Sequence, residues 1–367
     1  MTSVFRVIWR AAALLGLFSV LAARPALAKC QLQQAAEFHV TVENNRALVP
    51  VEINGRQVQM IVDTGAATSI LFPEAAHRLG LRAQYMPGSL RFSGVGGAAH
   101  VGAVVIDSFK LDQNYTLKGF TLAVTGRSNL SGGAGAGLLG QDILGGWDVE
   151  VDLAHGLIRL LRPAGCKGDE LVYWNAAYAQ TPIMPNAGLF NHTTVRARLN
   201  GKAVDAYLDT GAQGSVTTLA AAAEAGVQPS SPQVRQSGVS HGVGDYSAAT
   251  WTATFDTFSL GEETINHAKI RMADLYEHNT HEETGSHIAA REVNLPGMLL
   301  GADFFLSHHV LIANSQHRVY FSYNGGPVFD TSGGLAKAQA EPGAGGAAPD
   351  QQATKPPHLE GAGGKGS

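Results

Sequence analysis

Two aspartates, Asp63 in MIVDTGAATSILF and Asp209 in AYLDTGAQGSV, each end an apolar run, a setting that disfavours an isolated ionised carboxylate. A buried acid must find a partner or give up its charge. Two carboxylates within hydrogen-bond reach solve this for each other: they cannot both ionise, so they share a proton and titrate as a pair. The ionised member can take a proton from water while the neutral member polarises a carbonyl, which is general acid–base chemistry without a covalent intermediate. One Asp-Thr-Gly alone would be a common polar turn. Two copies in matching surroundings call for an explanation.

Opposing two such loops requires two similar scaffolds, and the chain repeats itself. VPVEINGRQVQMIVDTGA and TTVRARLNGKAVDAYLDTGA each hold an Asn-Gly step, Asn54-Gly55 and Asn200-Gly201, between alternating apolar residues, a strong hairpin cue. Each reaches Asp-Thr-Gly-Ala eight residues beyond its Gly, and the two copies are offset by 146 residues. Glycine-rich Gly94-Val95-Gly96 and Gly242-Val243-Gly244 follow. Further on, GLLGQDILGGWDVEVDLAHGLIRL aligns without a gap on MLLGADFFLSHHVLIANSQHRVYF at an offset of 161. Three landmarks recurring in one order identify two lobes of a duplicated unit. Most segments read as short strands, with short helices expected in FPEAAHRLGL and TTLAAAAEAGV, each with a glycine near its C-terminal end. The expected fold is all-β with two tandem lobes, residues 29–165 and 185–330, joined by a connector over 166–184.

These motifs resemble the retropepsin-like aspartic proteases. The residues that carry the resemblance are Asp63-Thr64-Gly65-Ala66, Asp209-Thr210-Gly211-Ala212, the two Gly-Val-Gly segments, Leu138-Leu139-Gly140 and Leu299-Leu300-Gly301. It implies a β-barrel-like unit per lobe, a pseudo-twofold axis between the lobes and a catalytic dyad of Asp63 and Asp209. Thr64 and Thr210 are then expected to bond across the lobe interface. Gly65 and Gly211 leave room for the carboxylates to approach and supply N–H donors. Gly94, Val95, Gly96, Gly242, Val243 and Gly244 would form flaps that open for an extended polypeptide and close to exclude water. The Leu-Leu-Gly segments are assigned to the scaffold under the loops. The implied activity is aspartic endopeptidase, needing no cofactor, with a single chain as the working unit; the alternative is a peptide- or protein-binding module that keeps the groove without catalysis.

Composition narrows the partners. With 26 Lys and Arg against 30 Asp and Glu, and no basic stripe, nothing favours nucleic acid or an anionic membrane. Residues 1–28 read as a signal peptide: Arg6 and Arg10 border the apolar AAALLGLFSVLAA, followed by the small-x-small Ala26-Leu27-Ala28. An uncleaved anchor is the alternative, though the run is short for a spanning helix. Cleavage leaves a periplasmic or secreted protein. Its two cysteines, Cys30 and Cys166, then read as one disulfide in an oxidising compartment or as two buried thiols. Residues 331–367, rich in Gly, Ala and Pro, lack the apolar side chains that would offset ordering and are expected to be disordered. In the insertion LYEHNTHEETGSHIAAREVN, His278, His281 and His287 with Glu277, Glu282 and Glu283 could bind zinc, but a solvated loop is the expectation; no metal site is assigned.

Overall fold

The computed structural model describes residues 30–329 apart from 86–91, 95–96, 100, 113–114, 127–134, 186–191, 243–246 and 277–294. The leader, the tail, the His/Glu-rich insertion from 277 to 287, and Val95, Gly96, Val243 and Gly244 therefore lie outside the described residues.

Both Asn-Gly steps close two-residue hairpins. Asn54 and Gly55 have φ of 48° and 78°, Asn200 and Gly201 of 47° and 75°, the double positive φ that a type I′ turn needs. The flanking strands Arg46–Ile53 and Arg56–Val62 pair with Ile53 opposite Arg56. In the second lobe Thr194–Leu199 and Lys202–Leu208 pair with Leu199 opposite Lys202. Each hairpin's second strand ends on an Asp-Thr-Gly loop.

Each lobe curls into a barrel. In the first, the sheet runs through eight strands and Arg46–Ile53 also meets Gly102–Asp112, closing it; in the second, seven strands close through Thr194–Leu199 and Ser247–Leu260. Inside are Phe72, Phe109, Ile53, Met60 and Ile61 in one lobe and Phe255, Phe258 and Ile265 in the other, all at 1 % exposure or less. The two predicted helices are six residues each, Pro73–Arg78 and Leu219–Glu224. Proline opens the first at a position where its missing N–H costs nothing. Thr218 caps the second, its Oγ1 accepting from Ala221 N at 3.1 Å. Both chains then turn at a left-handed glycine, Gly80 or Gly226.

A third sheet joins the lobes. Its six strands run in the order Gln31–His39, Leu157–Ala164, Asp148–Asp152, His308–Ala313, Arg318–Tyr323, Ala179–Pro182. The connector is thus not merely a link, because its Ala179–Pro182 pairs with Arg318–Tyr323. At the centre Val149 faces Ile312, Glu150 faces Leu311 and Val151 faces Val310. Under the repeat offset of 161, Val149 corresponds to Val310, Glu150 to Leu311 and Val151 to Ile312. The pairing is therefore self-complementary, as across a true dimer axis, with Glu150 and Leu311 on the axis.

The sheet's acids are buried and satisfied by neighbouring segments. Glu150, at 1 % exposure, accepts from Arg159 Nη1 at 3.0 Å and from the Tyr173 hydroxyl, and its Oε1 lies 2.7 Å from His309 Nε2. Those partners come from the first lobe, the connector and the second lobe respectively. Trp174 stacks on His309 with ring centroids 4.0 Å apart and donates to Ser322 Oγ. Asp148 accepts from Ser315 N and Oγ at 2.8 and 2.7 Å, another bond between lobes. A disulfide between Cys30 and Cys166 fastens the first strand of this sheet to the start of the connector.

Candidate active site

The two Asp-Thr-Gly loops meet between the barrels. What places each aspartate is the Leu-Leu-Gly strand. Gly137–Leu139 threads parallel to Arg56–Val62, and Leu139 O accepts from Asp63 N at 3.0 Å; Met298–Leu300 repeats this, with Leu300 O accepting from Asp209 N at 3.0 Å. The glycine that ends each strand has no room for a side chain. A Cβ on Gly140 would lie 2.6 Å from the Thr68 carbonyl carbon, and one on Gly301 2.5 Å from that of Gly214.

The threonines lock the loops to one another. Thr64 Oγ1 donates to Leu208 O at 2.7 Å and accepts from Thr210 N at 3.1 Å; Thr210 Oγ1 donates to Val62 O at 2.7 Å and accepts from Thr64 N at 3.1 Å. Thr64 is 1 % exposed and Thr210 fully buried. Four mirrored bonds at matched lengths leave little freedom for one loop to slide on the other.

That lock brings the carboxylates together. Asp63 and Asp209 hydrogen-bond to one another through their side chains, and each is held at its Oδ1 by two amides. Gly65 N and Ala66 N donate to Asp63 at 3.0 and 2.9 Å; Gly211 N and Ala212 N donate to Asp209 at the same two distances. Burial, then the charge and hydrogen bond of Asp209, push Asp63 well above the usual carboxylate range. Burial also raises Asp209, countered by its amides, its bond with Asp63 and the Arg46 charge. Asp63 is 9 % exposed and Asp209 half-buried, so the pair is not sealed from solvent.

Behind the loops stand residues that motif reading passed over. Arg46 Nε donates to Gly211 O at 2.8 Å, and His192 makes a hydrogen bond to the Gly65 backbone. Each stands 17 residues before its lobe's aspartate, so the 146-residue repeat that aligned the motifs also aligns these two. Their unlike chemistry hid the correspondence. Gln141 Nε2 donates to Thr64 O at 2.8 Å, whereas the aligned position in the second lobe is Ala302, which has no donor in its side chain.

One further pair supports the loops from below. Ser69 N and Oγ donate to Asp142 Oδ1 at 2.8 and 2.7 Å, and Ser215 N and Oγ donate to Asp303 Oδ1 at 2.9 and 2.6 Å. Only Asp303 is buried, and burial pushes it up to about 6 despite the Ser215 and Phe304 donors and the Arg271 charge. The folded chain therefore holds a proton there that the unfolded chain releases near its ordinary 3.8. Stability from this group is full below about pH 4 and is lost as pH rises through 6, on the order of 2 to 3 kcal/mol. Urea unfolding between pH 4 and 7 should show this fall in the native chain and a flatter profile in Asp303→Asn. Equal slopes would refute the assignment.

Of the residues proposed for flaps, Gly94 ends strand Phe92–Gly94, which pairs with Gly97–Ala99, and Gly242 follows strand Arg235–His241, which pairs with Ser247–Leu260. Both hairpins are present, with their tips outside the described residues.

Comparison with known proteins gives the same family for both lobes. The Aspartyl protease family matches residues 49–143 and again 195–304, together more than half of the chain. A solved retropepsin-like aspartic protease from Rickettsia conorii is similar over 37 % of this chain and 95 % of its own, at 18 % identity and a TM-score of 0.26. No curated protein matches. With one family match in each lobe and both Asp-Thr-Gly loops meeting between them, the chain belongs to the aspartyl protease family, as two retropepsin-like lobes in a single polypeptide.

Proposed function

We propose that the protein is an exported aspartic endopeptidase that hydrolyses peptide bonds of extended polypeptides with the Asp63/Asp209 dyad. The observation that carries this reading is the mutual hydrogen bond of two carboxylates, one buried and one half-buried, held by mirrored amide and threonine contacts. A groove that only binds peptide gains nothing from holding two acids in this relation, where the charge of one keeps the proton on the other.

In the reaction, the ionised carboxylate takes a proton from a water whose oxygen bonds to the scissile carbonyl carbon. The neutral carboxyl gives its proton to the carbonyl oxygen, producing a tetrahedral diol. In the collapse the carboxylate that gave up its proton takes one from a diol hydroxyl, re-forming the carbonyl, while the other carboxyl gives its proton to the leaving nitrogen as the C–N bond breaks, so the pair again holds one proton. Thr64 and Thr210 keep the two acids at fixed separation throughout, and the Gly65, Ala66, Gly211 and Ala212 amides hold each inner oxygen in place. The substrate would lie between the lobes as an added strand, covered by the hairpins that carry Gly94 and Gly242.

Export is supported by the leader-like residues 1–28 and by the Cys30–Cys166 disulfide. Because one chain holds both loops, a monomer is the proposed working unit. Incubating the purified mature chain with a peptide library between pH 3 and 8 tests the activity. Cleavage at discrete bonds is expected; peptide binding without cleavage at any pH would favour the non-catalytic module.

A further inference from the structure

We propose that the dyad has a fixed direction: Arg46, acting through the Gly211–Ala212 peptide, draws the pair's single negative charge onto Asp209 and leaves the shared proton on Asp63. This rests on the two carboxylates forming one coupled pair.

The path is a single peptide group. Its carbonyl, Gly211 O, accepts from the Arg46 guanidinium at 2.8 Å, and its N–H, on Ala212, donates to Asp209 Oδ1 at 2.9 Å. A cation on the carbonyl polarises the amide and strengthens its N–H as a donor, favouring charge on the carboxylate that receives it. The other lobe builds the same path with a different residue. The Gly65–Ala66 peptide donates from Ala66 N to Asp63 Oδ1 at 2.9 Å and is backed by His192.

The two backing groups differ in charge. A guanidinium remains a cation across the range in which proteins work. His192 is half-buried and stacked on Tyr207 with ring centroids 4.5 Å apart, and the burial holds it below the ordinary histidine value, so it is neutral near neutral pH. Asp63 has a second backed amide, since Gln141 Nε2 donates to the Thr64–Gly65 peptide whose N–H reaches Asp63, but that group is also uncharged. The remaining charged groups on the elements against these loops are Asp142, bonded to Ser69, and Asp303 with Arg271, bonded to or beside Ser215. One acid lies behind each aspartate in the same register, and Arg271 stands with Asp303 on the Asp209 side, so this layer adds to the bias toward Asp209. Arg46 also interacts with the charges of both aspartates directly.

Asp209 is then the base that takes the proton from water, and Asp63 the acid that protonates the carbonyl oxygen. A symmetric homodimer would back both aspartates with the same residue; fusing the lobes lets them differ. Arg46 and His192 are positioning residues in this scheme, because each acts through the loop peptide it backs.

Carbon-13 NMR of the full chain labelled at aspartate Cγ tests it, with Asp63→Asn and Asp209→Asn assigning the two resonances. Asp209 should titrate at lower pH than Asp63. In Arg46→Gln, which keeps a donor for Gly211 O but no charge, the Asp209 midpoint should rise by about one pH unit. In the exchange variant Arg46→His/His192→Arg, the order of the two should reverse. An unmoved Asp209 in Arg46→Gln, or an unreversed order in a folded exchange variant, overturns the proposal, and if the exchange variant does not fold, Arg46→Gln decides. Failure of the underlying pair has its own signature: Asp209→Asn would leave the Asp63 titration where it was. A coupled pair whose order ignores both backing residues overturns only the direction.

Discussion

Asp63→Asn and Asp209→Asn should each lower peptide cleavage by on the order of 10³-fold or more, with no loss of stability near neutral pH. The amide cannot take a proton from water, and it ends the sharing that gives its partner a working proton affinity. Asparagine is close in shape, and its Oδ1 can accept the same two amide bonds that now reach each aspartate. Folding therefore keeps its contacts. It also sheds a cost, since burial and the partner's charge raise Asp63 and make its ionisation unfavourable in the folded state. At pH 7 the melting temperature of either variant should equal or exceed that of the native chain, the exchange of stability for function common at active sites. Kinetics on a peptide found by the library screen, with thermal unfolding alongside, measure both sides. A variant that is inactive because it is unfolded would fail the second measurement. A stable variant with full activity would sink the shared dyad.

The site was unusually legible because it is written twice. Each Asp-Thr-Gly follows a hairpin whose Asn-Gly turn needs positive φ at both residues, so local chemistry alone located the loops. The Leu-Leu-Gly repeats could be placed beneath them for the same reason. What remained hidden depends on partners far away in sequence. DVEVD, Asp148 to Asp152, alternates acid and valine as a strand with one wet face does, yet all five residues are buried. Asp148 and Glu150 are satisfied by Ser315, Tyr173 and His309, which no local pattern brings to them, with Arg159 added from across the adjoining hairpin. The strand in the connector, Ala179–Pro182, is four residues long and, among the described residues, pairs with Arg318–Tyr323 far along the chain, so its role too appears only in three dimensions. Arg46 and His192 form an intermediate case. The repeat aligns them, but a comparison that looks for identical residues passes over a difference that carries charge.

The self-complementary centre of the six-stranded sheet explains how two lobes keep the loops in register. Strand pairs there are set by backbone bonds between Val149 and Ile312 and between Val151 and Val310. The threonine lock pairs equivalent positions of the two lobes, Thr64 with Thr210, as the strands do about the sheet's axis, so sliding of one lobe on the other would break both sets together. Glu150 sits on that axis, and Leu311 opposite it carries no charge. The fused chain has thus placed a polar hub on one half only, gathering Arg159, Tyr173 and His309 from three segments. Duplication supplied the frame, and divergence between the copies supplied its asymmetry.

That frame leaves no room beside the carboxylates, which sets the second large effect. Gly65→Ala and Gly211→Ala should each reduce cleavage by on the order of 10²-fold or more. A Cβ on Gly65 would stand 2.4 Å from Asp209 Cγ, and one on Gly211 2.3 Å from Asp63 Cγ, well inside van der Waals contact. A long flexible side chain could swing clear of such a methyl. These carboxylates cannot, because each is short, fixed at Oδ1 by two amides and hydrogen-bonded to the other. Relief must come from separating the loops, which strains the Thr64 and Thr210 bonds, or from turning a carboxylate away, which breaks the pair. Either outcome displaces a reacting group by about an ångström while the two barrels, whose cores lie elsewhere, remain folded. The same carbon-13 titration separates the causes: a split pair would show two independent carboxylates, with Asp63 falling back toward the ordinary range once the Asp209 charge no longer faces it. Retention of more than about a tenth of the native rate in both alanine variants would mean that the loops yield without harm and that close approach is not what these glycines provide.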